Sequence, residues 1–200
     1  MTSDGGRRAA ILRAAEKVFA REGYDGATMR QIAAEADAKL SLVVYHFTSK
    51  IGLYVAIFEN RQYVNEERLA RLAAIADLRA EDAVEQIVHA FADPVLALHD
   101  DPDDIWFARL VMREASDPSS QQRPVIAELF DPMAREFIKA LREALPDKPD
   151  GFHHWAYLFS VGALTKSSYE VRVNNLTEKP FIEQKQDILR SFIIAGLRHG

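Results

Sequence analysis

Residues 28–47 read TMRQIAAEADAKLSLVVYHF, and two short periodic stretches within them decide the fold. Ile32, Ala33 and Ala36 recur at helical spacing after Thr28, and Val43 and Phe47 stand one turn apart after Leu40. Thr28 predicts an N-cap, with Gln31 reaching back in a capping box and Ala27 stapling onto Ile32. Asp37 and Ala38 interrupt the pattern. The segment reads as two short helices joined by a tight turn, a helix-turn-helix with Ile32, Ala33, Ala36, Val43 and Phe47 as its shared core.

Upstream, Ile11, Ala14, Ala15, Val18 and Phe19 predict a first helix over 8–22 that Gly23 ends. Downstream, Thr48-Ser49-Lys50 offers a new cap, and Leu53, Ile57, Val64 and Leu72 predict one long fourth helix reaching to Ala76. Further helices are expected over 80–99, 103–115, 124–145, 151–173 and 180–198, with Pro94 and Pro132 kinking or splitting two of them. No stretch reads as a strand. The expected fold is all-α, with a helix-turn-helix domain over 1–50 followed by a larger helical domain over 51–200.

The chain has 200 residues, 48% of them hydrophobic, enough for one large domain or for a small one joined to a larger one. It has no cysteine, which excludes disulfides, thiolate metal sites and a cysteine nucleophile. The net charge of -5 argues against a nucleic-acid binder, but it is unevenly spread. Residues 1–50 hold eight Lys/Arg against six Asp/Glu, which is +2 and leaves -7 for the remainder, so DNA contact belongs at the N-terminal end. Met1 to Gly6 are small and polar and lead through Arg7 and Arg8 into an amphipathic pattern, not a secretion signal. No apolar run approaches the roughly 20 residues of a membrane span. A soluble, cytoplasmic protein is expected.

On the second helix of the pair, Ser41, Leu42, Tyr45 and His46 are left on outer or flanking faces and are candidate DNA contacts. Thr28 by hydrogen bonding, and Lys50 and Lys39 by charge, are candidates for phosphate contact. Spacing leaves a second reading open, a helical pair that never touches DNA and uses Tyr45 and His46 for packing.

The spacings Ala14-Ala15-x(3)-Phe19-x(3)-Gly23-Tyr24-x(3)-Thr28-x(3)-Ile32-Ala33-x(2)-Ala36, then Tyr45-His46-Phe47-x-Ser49-Lys50-x(2)-Leu53, resemble the N-terminal domain of the TetR family of transcriptional regulators. The resemblance implies that Thr28, Tyr45, His46 and Lys50 meet phosphates or bases and that Lys39, Ser41 and Leu42 are variable recognition positions. The chain departs from many relatives at Ser41 and Asp37, where they carry glycine, and at Val44, where they carry an aromatic residue. The stretch from Leu40 to Phe47, with Arg109-Leu110-x(2)-Arg113-Glu114-x(3)-Pro118, is similar to the CecR-like subgroup.

By that resemblance the larger domain binds a small-molecule effector and dimerises, making a ligand-responsive regulator that reads a palindromic operator. The stretch from Ile105 to Glu114 is apolar around most of its circumference and predicts a covered helix. Its charges Arg109, Arg113 and Glu114 must then reach solvent, form ion pairs or line a polar part of a cavity. Candidate pocket residues are Trp106, Phe107, Arg109, Met112, Arg113, Phe137, Trp155 and Phe159, with Tyr169 among the further aromatics. Val125, Leu129, Met133, Phe137, Leu141 and Leu145 repeat every four residues, as an ordinary core stripe does. Phe152, Trp155, Phe159, Gly162 and Ala163, with Ile188, Phe192 and Gly196 after Phe181, mix small and large residues on the last two helices. The resemblance makes these the faces of a four-helix dimer interface.

Catalysis is not expected: the chain has no Gly-x-Ser-x-Gly elbow, phosphate loop or dinucleotide fingerprint. No metal or cofactor is expected, since His153 and His154 diverge on a helix and His89 and His99 are ten apart. The acidic run from Asp100 to Asp104 lacks the glycine turn and closing glutamate of a calcium hand. The competing reading is a DNA-binding or scaffold dimer whose larger domain answers to no effector.

Overall fold

The computed structural model describes residues 4–100, 104–167, 170–179 and 182–200, which are helical with no strand among them. Asp101 to Asp103, Tyr169 and Phe181 lie outside the described residues. The helices are α1 (Asp4–Gly26), α2 (Met29–Glu35), α3 (Leu40–Phe47), α4 (Lys50–Asn60), α5 (Tyr63–Ala73), α6 (Ala83–Asp100), α7 (Ile105–Ser116), α8 (Asp131–Ala144), α9 (Phe152–Lys166), α10 (Glu170–Asn174) and α11 (Lys185–His199). Among the described residues no single helix is long and apolar enough to cross a membrane.

They group into two compact units, unit one from Met1–Tyr63 with Asp103–Leu129 and unit two from Val64–Pro102 with Phe130–Gly200. In unit one, α1 buries Ile11, Leu12, Ala15, Val18 and Phe19 and packs on α2, α4 and α7. Its helical geometry breaks at Gly23 (φ 77°), which leaves carbonyls of the last turn without helical donors. Arg113 of α7 supplies them, donating to the Ala20 oxygen at 3.0 Å and the Arg21 oxygen at 2.9 Å. A Cβ at Gly23 would stand 2.9 Å from the Arg113 Nε, so glycine is required both by φ and by that guanidinium.

The unit-one core continues through edge-to-face rings, Phe19 on Tyr54 at 4.8 Å and Tyr54 on Phe58 at 5.2 Å. Beside them Glu114 is fully buried. It accepts from the Tyr54 hydroxyl at 2.8 Å and pairs with Arg123 at 2.7 Å, and Arg123 also reaches Asp117 at 2.6 Å. Burial, then the Glu114 carboxylate, pushes the Tyr54 phenol up. Glu114 is therefore not paired with Arg109 or Arg113 of its own helix; its partner is Arg123, nine residues on.

The single long fourth helix does not form. It stops after Asn60 and restarts at Tyr63, across a turn at Arg61 (φ -107°, ψ 9°) whose guanidinium pairs with Glu16 at 3.0 Å and Asp104 at 2.6 Å. Unit two is a packed set of α6, α8, α9 and α11 around Val88, Phe91, Leu96, Phe137, Tyr157 and Ile193. Pro94 does not split its helix: α6 runs through it from Ala83 to Asp100. Pro132 instead falls in the first turn of α8, where its missing N–H costs no helical bond, after a π-helical turn over Val125–Phe130. The helix expected over 151–173 ends at Lys166, and a second short one follows at α10.

Candidate nucleic-acid interface

The capping box forms as the spacing predicts. The Gln31 backbone donates to Thr28 Oγ1 at 3.2 Å, and the Thr28 backbone donates to Gln31 Oε1 at 2.8 Å. This fixes the start of α2 and leaves the Thr28 side chain exposed. The turn into α3 passes through Asp37 at φ 48°, the left-handed region that glycine serves in many relatives and aspartate also tolerates. Val43 and Phe47 then lock α3 against the unit-one core.

With that face buried, Lys39, Ser41 and Tyr45 lie on the solvent side, and Tyr45 is 75% exposed. Leu42 is half-buried on the flank. Val44 and Leu40 share the exposed side, and neither was among the candidate contacts. The spacing of Ser41, Val44 and Tyr45, one turn of helix, is the signal that would have found Val44. His46 is not brought to this surface: its side chain is 6% exposed, with Nε2 3.6 Å from Asp4 Oδ1 and no hydrogen-bond partner. Lys50 is held nearby, its ammonium donating to the Asp25 oxygen at 3.2 Å and lying 4.6 Å above the Tyr24 ring. The turn that places it is tight. Ser49 caps α4 through the Gly52 backbone at 3.0 Å, and a Cβ at Gly52 would stand 2.8 Å from the Phe47 oxygen.

The candidate pocket residues divide between the units. Trp106, Phe107, Arg109, Met112 and Arg113 belong to α7 in unit one. There Phe107 is core, 5.8 Å from the Phe58 ring, and Arg113 serves the end of α1; both have structural work that accounts for them. Arg109 is exposed with its guanidinium 4.9 Å from the Trp106 ring. Phe137 is buried in unit two, lining a small cavity of about 10 Å³ with Ile87, Phe91, Leu141, Tyr157 and Ile193. Sequence reasoning passed over Arg68, which is buried in the same core although α5 is otherwise rich in exposed charge. The signal was present: Arg68 stands midway between Val64 and Leu72, on the stripe that carries both.

Trp155 and Phe159 are instead surface residues, 62% and 69% exposed, and stack loosely at 5.8 Å. With Phe152, Ala163, Phe192 and Gly196 they line an open groove of about 430 Å³ along α9 and α11, and Ile188 and Phe192 are exposed beside it. Gly162 and Gly196 have no atom of this chain within 4 Å of where a Cβ would stand. Among the described residues no group of His, Asp and Glu is arranged to hold a metal ion. His153, one of the adjacent pair, is buried with Nε2 2.9 Å from the Leu145 oxygen, a structural bond.

Comparison with known proteins matches residues 11–57 to the family described as bacterial regulatory proteins, tetR family. Residues 89–196 match the tetracyclin repressor-like C-terminal domain. The HTH-type transcriptional regulator SrpR of Pseudomonas putida is 28% identical over 138 residues, 69% of this chain but 61% of that protein's length. The uncharacterized HTH-type transcriptional regulator TtgW, also of Pseudomonas putida, is 31% identical over 112 residues, 56% of this chain and 77% of that protein. Among solved structures, a TetR-like transcriptional regulator from Rhodococcus sp. RHA1 superposes with a TM-score of 0.67 at 17% identity, covering 98% of each chain. That last likeness is one of fold.

Proposed function

This chain belongs to the TetR family of bacterial transcriptional regulators, and from that premise we propose that it is a repressor that binds a palindromic operator as a dimer and leaves it on binding a small molecule. One observation carries the DNA-binding part: α3 turns Val43 and Phe47 inward and holds Lys39, Ser41 and Tyr45 outward. A helix so presented fits the major groove, with Leu42 at the flank and Thr28 and Lys50 directed to phosphates. His46 reaches DNA only by rotating away from Asp4. In this reading residues 1–50 contact DNA and 51–200 bind effector and partner, although α7 packs within unit one. The finer likeness to the CecR-like subgroup rests on the stretches around Leu40–Phe47 and Arg109–Pro118 alone.

The partner proposed for the α9–α11 face is a second copy of the chain. Exposed rings of the size of Trp155, Phe159 and Phe192 each gain roughly 1.5–3 kcal/mol on burial, and Gly162 and Gly196 leave room for an approaching helix. Twofold pairing there places two recognition helices on an inverted repeat, with half-sites spaced about 34–36 Å or a multiple. An effector acts by binding the non-DNA-binding arrangement more tightly, and the α4–α5 segment, through which the chain passes from unit one to unit two, is its lever.

The test is selection of bound fragments from a random double-stranded DNA pool, with Tyr45→Ala alongside. An inverted repeat is expected to emerge with the native protein, and Tyr45→Ala should weaken its binding by about 1–3 kcal/mol while leaving the fold intact. Failure to enrich any sequence at low salt, where phosphate attraction is strongest, sinks the operator reading. A second reading, a DNA-binding or scaffold dimer without an effector, is favoured by the small unit-two cavity, whose volume suits about one water molecule. A thermal-unfolding screen of diverse apolar and amphipathic compounds separates the two, because a ligand of the native state raises the unfolding temperature.

A further inference from the structure

Arg68 is 5% exposed in unit two. Its guanidinium lies 4.5 Å above the Phe91 ring and 5.6 Å from the Phe137 ring. Its hydrogen bond to the protein is a long one, 3.4 Å to Asn65 Oδ1, and its Nε has no partner. Among the described residues no carboxylate lies within ion-pair distance of it. Asp93 of α6 pairs elsewhere, with Arg190 at 2.9 Å and His89 at 2.9 Å.

Burial pulls the Arg68 guanidinium down to about 10, and the Tyr157 hydroxyl opposes that shift, so the group stays charged at neutral pH. Burying a cation is costly unless a counter-ion and hydrogen bonds offset it, and ring faces do so only in part. The same two rings line the small cavity, together with Tyr157 and Ile193. Arg68 is not itself among the lining residues; its fixed positive charge rests on two of the rings that bound this apolar space.

We infer that unit two binds an anionic, largely apolar molecule, an aromatic or alkyl carboxylate or sulfonate, whose acid group pairs with Arg68 and whose body spreads between Phe91, Phe137 and Tyr157. This rests on the effector-binding reading above and names the effector's chemistry. The unused Nε is one arm of the fork by which arginine holds an oxyanion through two parallel bonds. Because the cavity offers only a water-sized space and Arg68 lies outside its lining, the ligand must part the rings to reach the guanidinium, which makes binding a conformational event and not simple occupancy. Arg68 lies on α5, shortly after the chain crosses from unit one at Tyr63–Val64, so an anion drawn to it acts on the proposed lever.

The test uses two fluorescent probes with one aromatic skeleton, anilinonaphthalene sulfonate and the neutral phenylnaphthylamine, titrated into the full-length protein. Native protein is expected to bind the sulfonate roughly tenfold more tightly than the neutral probe, the scale of a charge-assisted hydrogen bond. Arg68→Met should bring the two affinities within about twofold, and Arg68→Lys, which keeps charge but not the fork, should fall between. Dye on the exposed α9–α11 face contributes equally to all three proteins and cancels in the comparison. Should Arg68→Met fail to fold, the native preference and the Arg68→Lys value still decide. No sulfonate binding, equal native affinities, or a preference that survives Arg68→Met overturns the inference. The operator selection is independent of this result, so an operator reader without anion preference keeps the regulator and loses only the anion site.

Discussion

Buried charge is met differently at Arg61 and Arg123 of unit one and at Arg68 of unit two. In unit one Arg61 meets Glu16 and Asp104, and Arg123 meets Glu114 and Asp117, so these two guanidinium groups have two carboxylates each. In unit two Arg68 meets two ring faces and a distant amide oxygen. Taking an ion out of water costs several kcal/mol, and only close counter-ions offset it. Unit one is therefore held to one arrangement by its own charges, as a surface that must match DNA requires. Unit two carries in Arg68 a charge without a carboxylate, the group to which the anion is proposed to bind. The exteriors differ as well: the exposed side of α3 mixes Lys39, Ser41 and Tyr45, whereas that of α9 and α11 is dominated by Trp155, Phe159 and Phe192.

The sharpest way to break this comparison is Glu114→Ala, which strands Arg123 in the interior. A stability loss of about 3–5 kcal/mol is expected in urea unfolding; a loss below about 1 kcal/mol erases the distinction between the units. On the exterior, Phe192→Ser should weaken the proposed dimer by about 2 kcal/mol or more in sedimentation, while the corresponding change at the α3 surface, Tyr45→Ala, leaves association unchanged. Arg68→Met has the opposite sign from Glu114→Ala. Removing an uncompensated charge should leave ligand-free stability level or raise it by about 1 kcal/mol, and a clear loss would show that the rings and Asn65 satisfy the guanidinium.

The smallest effect concerns pH. The Arg198 guanidinium, bonded to Glu85, holds that carboxyl below the usual glutamate range. Its folded value lies below its unfolded one, so its contribution is complete above the unfolded value of about 4.3 and is lost as pH falls through it toward the folded value. The partners are partly exposed, so solvent screens the pair. Denaturation midpoints measured down this acid range should fall slightly less in Arg198→Met than in the native chain.

Much of the fold was legible because its determinants are local. The Thr28–Gln31 box spans three residues, and the inward pair Val43 and Phe47 one turn, so helical periodicity alone orients α3 and exposes Tyr45. The single helix expected from Lys50 to Ala76 is interrupted at Arg61, whose side chain meets Glu16, 45 residues away, and Asp104, 43 away. Arg113 reads as a pocket candidate until α7 packs on α1 and delivers it to a carbonyl 93 residues distant. His46 reads as exposed until the start of α1 brings Asp4 beside it.

The sequence by itself determined the helices, the helix-turn-helix and its caps, the concentration of positive charge at the N-terminal end, and the family. These follow from neighbours within a turn or two and from spacings that distance along the chain preserves. Only the tertiary structure decided which charges are paired and which is left over, where α4 ends, and that Trp155 and Phe159 face outward while Phe137 faces in. Those outcomes depend on groups far apart in the chain meeting in a medium that penalises every unpaired charge, and no local pattern records which of them meet.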